Sequence, residues 1–167
     1  MTTTFNFRSL LKTVICLAFL FGCASSAVFA CSCAPGTTGF LERSLDSNLI
    51  VIGKVTGTEP ANPTNPFSNN IINVEVQRIL KGDNTVQNVK VSTASSGGLC
   101  GVSMPINSKW VFALNSLGTE TNNVPQSSIS ICSRNFLYVG AGKVFGRIKN
   151  DKYKSMPLPG FIKSLSR

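Results

Sequence analysis

Apolar residues downstream of position 45 fall into short runs, either continuous or alternating with polar residues. Continuous runs rich in β-branched residues indicate buried strands, and strict alternation indicates strands with one face in water. The five predicted strands are Leu49–Val55, Ile72–Gln77, the segment around Val89 and Val91, Trp110–Leu114 and Ser128–Cys132.

Segments rich in Pro, Gly, Asn and Ser separate these runs, and such composition is typical of loops and turns. The predicted loops and turns are Thr58–Asn70, Lys81–Asn84, Ser92–Gly98 and Leu117–Gln126.

Two regions flank the predicted strands. Thr38–Leu45 predicts a short helix in which Phe40, Leu41 and Leu45 share one face. After Cys132 the pattern weakens: Phe136–Val139 fits a short strand or the start of a helix. Lys143–Arg167 is ambiguous because two prolines interrupt it.

Five short strands without sustained helical periodicity predict an all-β fold. A small barrel or sandwich fits this pattern, and five is the strand count of an OB-type Greek-key barrel. The pattern alone leaves both architectures open for residues 31–140, with one or two short flanking helices and a basic tail at 141–167.

The first 30 residues have the features of an export signal. Arg8 and Lys12 precede an apolar stretch, Val14–Gly22, that is too short for a stable membrane anchor. Val28 and Ala30 place small residues before Cys31, so cleavage after Ala30 makes Cys31 the first mature residue and predicts a secreted protein.

A competing signal predicts a lipoprotein instead. Leu20-Phe21-Gly22-Cys23 is a loose lipobox whose processing would lipidate Cys23 and anchor the protein in the cell envelope. Val28-Phe29-Ala30-Cys31 is a weaker one, because Ser25 and Ser26 separate it from the apolar stretch.

The chain is basic, with 16 Lys and Arg against 7 Asp and Glu. Removing Arg8 and Lys12 leaves 14 against 7, a net charge of +7 for the mature chain. The dispersed basic residues of an exported protein argue against a nucleic-acid partner. Many of them fall after residue 142, as a solvated basic tail or as a patch for an anionic surface.

Four of the six cysteines remain after cleavage: Cys31, Cys33, Cys100 and Cys132. An even number in an exported chain argues for two disulfides. The alternative is a metal site, but the chain has no histidine and this spacing is not that of a zinc site. Without histidine there is no Ser/His/Asp or Cys/His pair, so we do not expect an enzyme.

The cysteine frame and its surroundings resemble the N-terminal netrin-like domain of the tissue inhibitors of metalloproteinases. The resemblance covers roughly Cys31 to Val139, and it rests on the order and spacing of several short motifs. These motifs are CSCAP at Cys31–Pro35, SNLIVIGKVTG at Ser47–Gly57, ILKGD at Ile79–Asp83, GLCG at Gly98–Gly101 and ISICS at Ile129–Ser133.

This resemblance implies a five-stranded OB-fold-like Greek-key barrel at residues 31–140, in agreement with the strand count. It also implies two disulfides, Cys31–Cys100 and Cys33–Cys132. In the chain-entropy model each bridge would stabilise the fold by about 4 kcal/mol, because it closes a long loop.

The resemblance also implies inhibition of zinc metalloendopeptidases by a monomer that needs no cofactor of its own. A cut after Ala30 gives Cys31 a free α-amine. This amine and the Cys31 carbonyl oxygen can close a five-membered chelate on the zinc of the target protease and displace its water. The amine ligates only when neutral, and its ordinary pKa is about 7.7–8.0.

Further roles follow from the same resemblance. Ser32 would point into the pocket for the substrate residue after the scissile bond, and Ala34 and Pro35 would continue along the cleft. Gly98 and Leu99 would form a second part of the contact surface. The simpler interpretation is that the cysteines only staple the N-terminus, that Ser32 is a spacer, that Gly98 belongs to a turn and that Leu99 is core.

The chain also departs from that family. Leu45 stands where one cysteine of the third disulfide would be, no cysteine follows Cys132, and the C-terminal six-cysteine domain is missing. The alternative hypothesis is a non-inhibitory netrin-like binding module, lipid-anchored through Cys23.

Overall fold

The computed structural model describes residues 31, 33, 38–65, 67–95, 99–115, 126–150 and 152–166. The predicted signal segment and Cys23 lie outside these residues. The described part is mostly β, as predicted. Its strands are β1 (Leu49–Pro60), β2 (Asn70–Lys81), β3 (Asn88–Thr93), β4 (Lys109–Leu114), β5 (Gln126–Ser128), β6 (Phe136–Gly140), β7 (Lys143–Gly146) and β8 (Lys154–Pro157), and its helices are α1 (Phe40–Leu45) and α2 (Leu158–Leu165).

The eight strands form one sheet in the order β5-β3-β2-β1-β4-β6-β7-β8. Neighbouring strands are antiparallel except β3 and β5, which run parallel. The predicted count of five is wrong, because β6, β7 and β8 extend the sheet beyond β4. Its two edges, β5 and β8, do not pair with each other, so the sheet is not the predicted closed barrel.

β1 and β4 lie in the middle of the sheet and are buried on both faces. Successive side chains of a strand point to opposite faces, so each of these strands contributes to two cores. This double burial explains why both strands are almost continuously apolar in sequence. The first core contains Leu49, Val51, Val55, Ile72, Val74, Val89, Val91, Met104, Phe112, Leu114 and Ile129. The second core contains Phe40, Ile50, Ile52, Val111, Ala113, Leu137, Val144, Ile148 and Phe161.

The first four strands lie where the sequence predicts them, although β1 and β2 are longer than predicted. β1 continues to Pro60 and β2 begins at Asn70, so the loop between them is shorter than Thr58–Asn70. The added residues of β1 are mostly exposed and polar, so they carry no hydrophobic pattern. The added residues of β2 include buried Ile71 and half-buried Ile79 and Leu80, which do not continue the alternation of Ile72, Val74 and Val76. Phe136–Gly140 is a strand, which decides between the two interpretations of that segment.

The turn between β2 and β3 lies at the predicted K-G-D-N segment. Gly82 has a φ of 105°, a conformation that favours glycine. The carboxylate of Asp83 accepts hydrogen bonds from the backbone N–H and the hydroxyl of Thr85, both at 2.8 Å. These bonds stabilise the charged carboxylate and lower the pKa of Asp83.

The predicted fifth strand, Ser128–Cys132, is misplaced. β5 covers Gln126–Ser128, and the chain then turns at residues 131–133. The Ser133 N–H donates to the Ser130 carbonyl at 3.0 Å, and the Cys132 N–H donates to the Ser130 hydroxyl at 3.2 Å. Serine side chains that bond to nearby backbone compete with strand pairing, which explains the early end of β5.

The predicted helix at the N-terminal side is confirmed, but its buried face differs from the prediction. α1 buries Phe40 and Ser44, which lie four residues apart on one face. Leu41 is half-buried, and Leu45 is 70% exposed. Leu45 is the last residue of this short helix, and its side chain lies outside the core.

The described residues of the segment 141–167, which we expected as a basic tail, pack as part of the sheet and its second core. They form β7, β8 and α2 and place Val144, Ile148 and Phe161 in the second core. They also hold the start of α1: the Phe40 N–H donates to the Arg147 carbonyl at 2.8 Å, and the Leu41 N–H donates to the Ile148 carbonyl at 2.9 Å. No helix in the described ranges is long and apolar enough to cross a membrane.

Candidate functional site

Two disulfides attach the expected start of the mature chain to the sheet. Cys31 is bonded to Cys100 and Cys33 to Cys132, with Cα–Cα distances of 5.2 and 5.3 Å. The two bridges are neighbours, because the Cys31 and Cys132 Sγ atoms lie 3.8 Å apart. Both pairings are those that the resemblance implies.

The segment that carries Cys100 is fixed by backbone and side-chain hydrogen bonds. The Val102 N–H donates to the Thr93 hydroxyl at the end of β3, at 2.9 Å. The Ile131 N–H donates to the Cys100 carbonyl at 3.1 Å. Residues 99–102 and 130–132, far apart in sequence, are therefore joined by a hydrogen bond and together form the support to which the N-terminal residues are bonded.

The sulfur atoms are not metal ligands in this arrangement. The Sγ atoms of Cys31, Cys100 and Cys132 lie within 4.8 Å of one another, a spacing that thiolates on one metal ion would have. Only the thiolate is a good ligand, and all three sulfurs are tied up in disulfides. The structure therefore favours two disulfides over the cysteine-bound metal that the sequence left as an alternative.

Leu99 lies beside Cys100 and is exposed, with 56% of its surface accessible. Of the two interpretations of this residue, contact surface or core, the structure rules out the core. Cys31 and Cys33 are half-buried. The other predicted site residues, Ser32, Ala34, Pro35 and Gly98, lie outside the described residues.

A cleft rich in aromatic residues adjoins this support, and the sequence reasoning missed it. It encloses about 310 Å³ and begins at Ile131, next to Cys132. The remaining described residues that line it are Trp110, Arg134, Phe136, Tyr138, Phe145, Gly146, Arg147 and Tyr153. One signal was available: Phe136 and Tyr138 alternate with Leu137 and Val139, which indicates a strand with an aromatic face.

Comparison of the chain with models of known protein families and with curated proteins gives no match. The similarity to the tissue inhibitors of metalloproteinases therefore stays a prediction that rests on the motifs and on the site geometry.

Proposed function

We propose that the protein is a secreted inhibitor of zinc metalloendopeptidases and that its N-terminal Cys31 chelates the catalytic zinc of the target. The α-amine nitrogen and the carbonyl oxygen of Cys31 would occupy the position of the zinc-bound water, which is the nucleophile of such enzymes. In this mechanism the inhibitor would contribute backbone atoms of Cys31, and the zinc would be that of the target protease.

The observation that carries the proposal is the attachment of Cys31 and Cys33 by two adjacent disulfides. Each bridge joins a residue of the N-terminus to a segment that is hydrogen-bonded to the sheet or to the other bridge. A chelating backbone fixed before binding loses less conformational entropy when it enters a protease cleft. One disulfide would be enough to keep the end of the chain from fraying. Here the first and the third expected residue of the mature chain are each bonded to a different segment.

The exposure of Leu99 supports a contact surface that includes more than the N-terminus. Its neighbour Cys100 is bonded to Cys31, so an apolar side chain open to solvent lies close to the proposed chelating residue. Its exposure leaves this side chain available for contact with a partner.

The strand order supports a netrin-like unit within the larger sheet. We propose that β5-β3-β2-β1-β4 forms this unit and that β6, β7 and β8 are an extension particular to this chain. Both disulfides attach the N-terminus to the connections after β3 and β5, at the edge of this unit.

The first experiment determines the N-terminus of the exported protein by intact mass and N-terminal sequencing. The proposal requires an unmodified Cys31 as first residue. A lipid on Cys23, which the lipobox predicts in the alternative, leaves the Cys31 nitrogen in a peptide bond and favours the non-inhibitory binding module.

The second experiment adds one alanine before Cys31 and measures inhibition constants against a panel of zinc metalloendopeptidases. We expect the extended protein to lose inhibition, because the Cys31 nitrogen is then in a peptide bond and the free α-amine lies on an alanine that no disulfide holds in place. The matched control carries one additional alanine after Arg167 and should keep full potency. Equal potency of both variants would refute the chelation mechanism.

A further inference from the structure

The aromatic cleft contains a row of three rings that crosses three neighbouring strands. Trp110 on β4 is the register partner of Tyr138 on β6, which in turn is the partner of Phe145 on β7. The ring centroids of Trp110 and Tyr138 lie 5.3 Å apart, and those of Tyr138 and Phe145 lie 6.0 Å apart. The row therefore presents one ring per strand.

This row remains open to solvent. Tyr138 is 41% exposed and Tyr153, at the rim, is 71% exposed. The opposite face of the same strands is covered, because Val111, Leu137 and Val144 belong to the second core. Gly140 leaves room for the Tyr138 ring in this row, since a Cβ at position 140 would lie 2.8 Å from that ring.

Two arginines make the cleft positive. Arg134 is buried, and its Nη1 donates to the Thr38 carbonyl oxygen at 2.9 Å, so its charge is held in place. Arg147, which also lines the cleft, is half-buried. None of the described residues that line the cleft is acidic.

We propose that this cleft binds an acidic polysaccharide, with sugar rings on the aromatic row and uronate carboxylates on the arginines. The faces of aromatic rings carry partial negative charge, and the C–H groups on a pyranose face carry partial positive charge, so the two stack. Arginine binds carboxylates through paired, charge-assisted hydrogen bonds.

The strand pairing favours a polysaccharide over an extended acidic peptide. β4 pairs with β1 and β6, β6 with β4 and β7, and β7 with β6 and β8, so each strand under the row has a partner on both sides. An extended peptide gains affinity mainly by adding main-chain bonds to a free strand edge, and the row offers none. A ligand that binds through ring faces and carboxylates needs no such edge.

The only tryptophan of the chain, Trp110, lies in the cleft and reports on its occupation. The disulfide-bonded protein is titrated with oligogalacturonate while the Trp110 emission is followed. We expect a saturable change with oligogalacturonate and none with neutral dextran. Arg147→Gln should weaken binding roughly tenfold, because it removes a charge-assisted hydrogen bond.

Tyr153→Ala provides a second test that does not depend on a buried residue. We expect it to weaken binding several-fold through loss of stacking, with an unchanged thermal unfolding curve. The matched controls are Phe67→Ala, an 81% exposed aromatic outside the cleft, and Lys163→Gln on α2, and both should bind as the parent does.

Three results would overturn the proposal. They are an unchanged Trp110 emission, an equal loss of affinity in Lys163→Gln, and binding of polyglutamate as tight as that of oligogalacturonate. The last result would assign the cleft to an acidic peptide. None of these measurements depends on a free Cys31 amine, so the cleft and the zinc chelation succeed or fail separately.

Discussion

At the scale of single residues, Gly53 shows how closely β1 and β2 pack. It lies in β1, and the register of this strand against β2 shifts between Ile52 and Gly53. A Cβ on Gly53 would overlap Cγ1 of Val74, a fully buried side chain of the first core. Glycine is required here by space.

We expect Gly53→Ala to lower the free energy of unfolding by about 1–3 kcal/mol, because a methyl group in a filled core displaces its neighbours. Gly57→Ala is the matched control on the same strand, since its Cβ would meet nothing within 4 Å. This control should be neutral or stabilise by about 0.4–1 kcal/mol, through the unfolded chain. Urea unfolding of both variants measures the difference, and equal destabilisation would contradict the packing argument.

Leu99 allows the proposed function to be tested with little effect on stability. It is exposed beside the Cys31–Cys100 bridge, so Leu99→Ala should change the free energy of unfolding by less than about 0.5 kcal/mol. We expect the same variant to inhibit the target protease less well. Leu45→Ala, a 70% exposed leucine on α1, is the control and should leave inhibition unchanged. Equal inhibition constants for both variants would remove Leu99 from the contact surface.

At the scale of elements, α2 closes the second core. Phe161 is fully buried, and its ring centroid lies 5.6 Å from that of Phe40 on α1. The two short helices, from opposite ends of the described chain, therefore support each other on the same side of the sheet.

Phe161→Ala should lower the free energy of unfolding by about 3–5 kcal/mol, the usual cost of emptying a buried aromatic site. Phe67→Ala, in the exposed loop between β1 and β2, should cost little by comparison. Chemical denaturation of both proteins tests the expectation. A small effect at Phe161 would mean that the C-terminal segment stabilises the sheet less than its burial indicates.

The strands also differ in how well each can be predicted from its own sequence. β1 and β4 are apolar on both faces, and β2 alternates between apolar and polar residues. These patterns identify the strands without knowledge of what packs against them. β7 and β8 are four residues each, too short for a periodicity. β7 pairs with β6 and β8 pairs with β7, and these pairings depend on the rest of the sheet. The turn after β5 depends on the Ser130 and Ser133 side chains, which a hydrophobic pattern does not register.

At the scale of the whole molecule, the disulfides connect residues 69 and 99 positions apart. We expect the double replacement Cys33→Ser and Cys132→Ser to lower the free energy of unfolding by about 4–5 kcal/mol in the chain-entropy model. Cys31 keeps its amine and its own bridge in this variant. Inhibition should therefore weaken without disappearing, because the chelating residue is held less rigidly.

Denaturant titration and inhibition constants of the same protein samples test both expectations. Unchanged potency would show that the Cys33–Cys132 bridge serves stability alone. Complete loss of potency in a protein that is still folded would show that the Cys31–Cys100 bridge alone does not hold the chelating residue in place.

The sequence by itself determined the β class, the positions of β1 to β4, the short helix before them and the four cysteines available for bridges. These features depend on local composition and on the period of apolar residues. Both are properties of a segment itself and do not depend on its tertiary contacts. The pairing of those cysteines was implied by a family resemblance and is present in the structure.

Only the tertiary structure decided that three more strands extend the sheet, that Leu99 is exposed, and that the rings of Trp110, Tyr138 and Phe145 form one row. Each of these depends on which distant segments pair and which face is covered. Strand pairing and the covering of a face depend on the free energy of the whole packed molecule. They cannot be predicted from the pattern of a single segment.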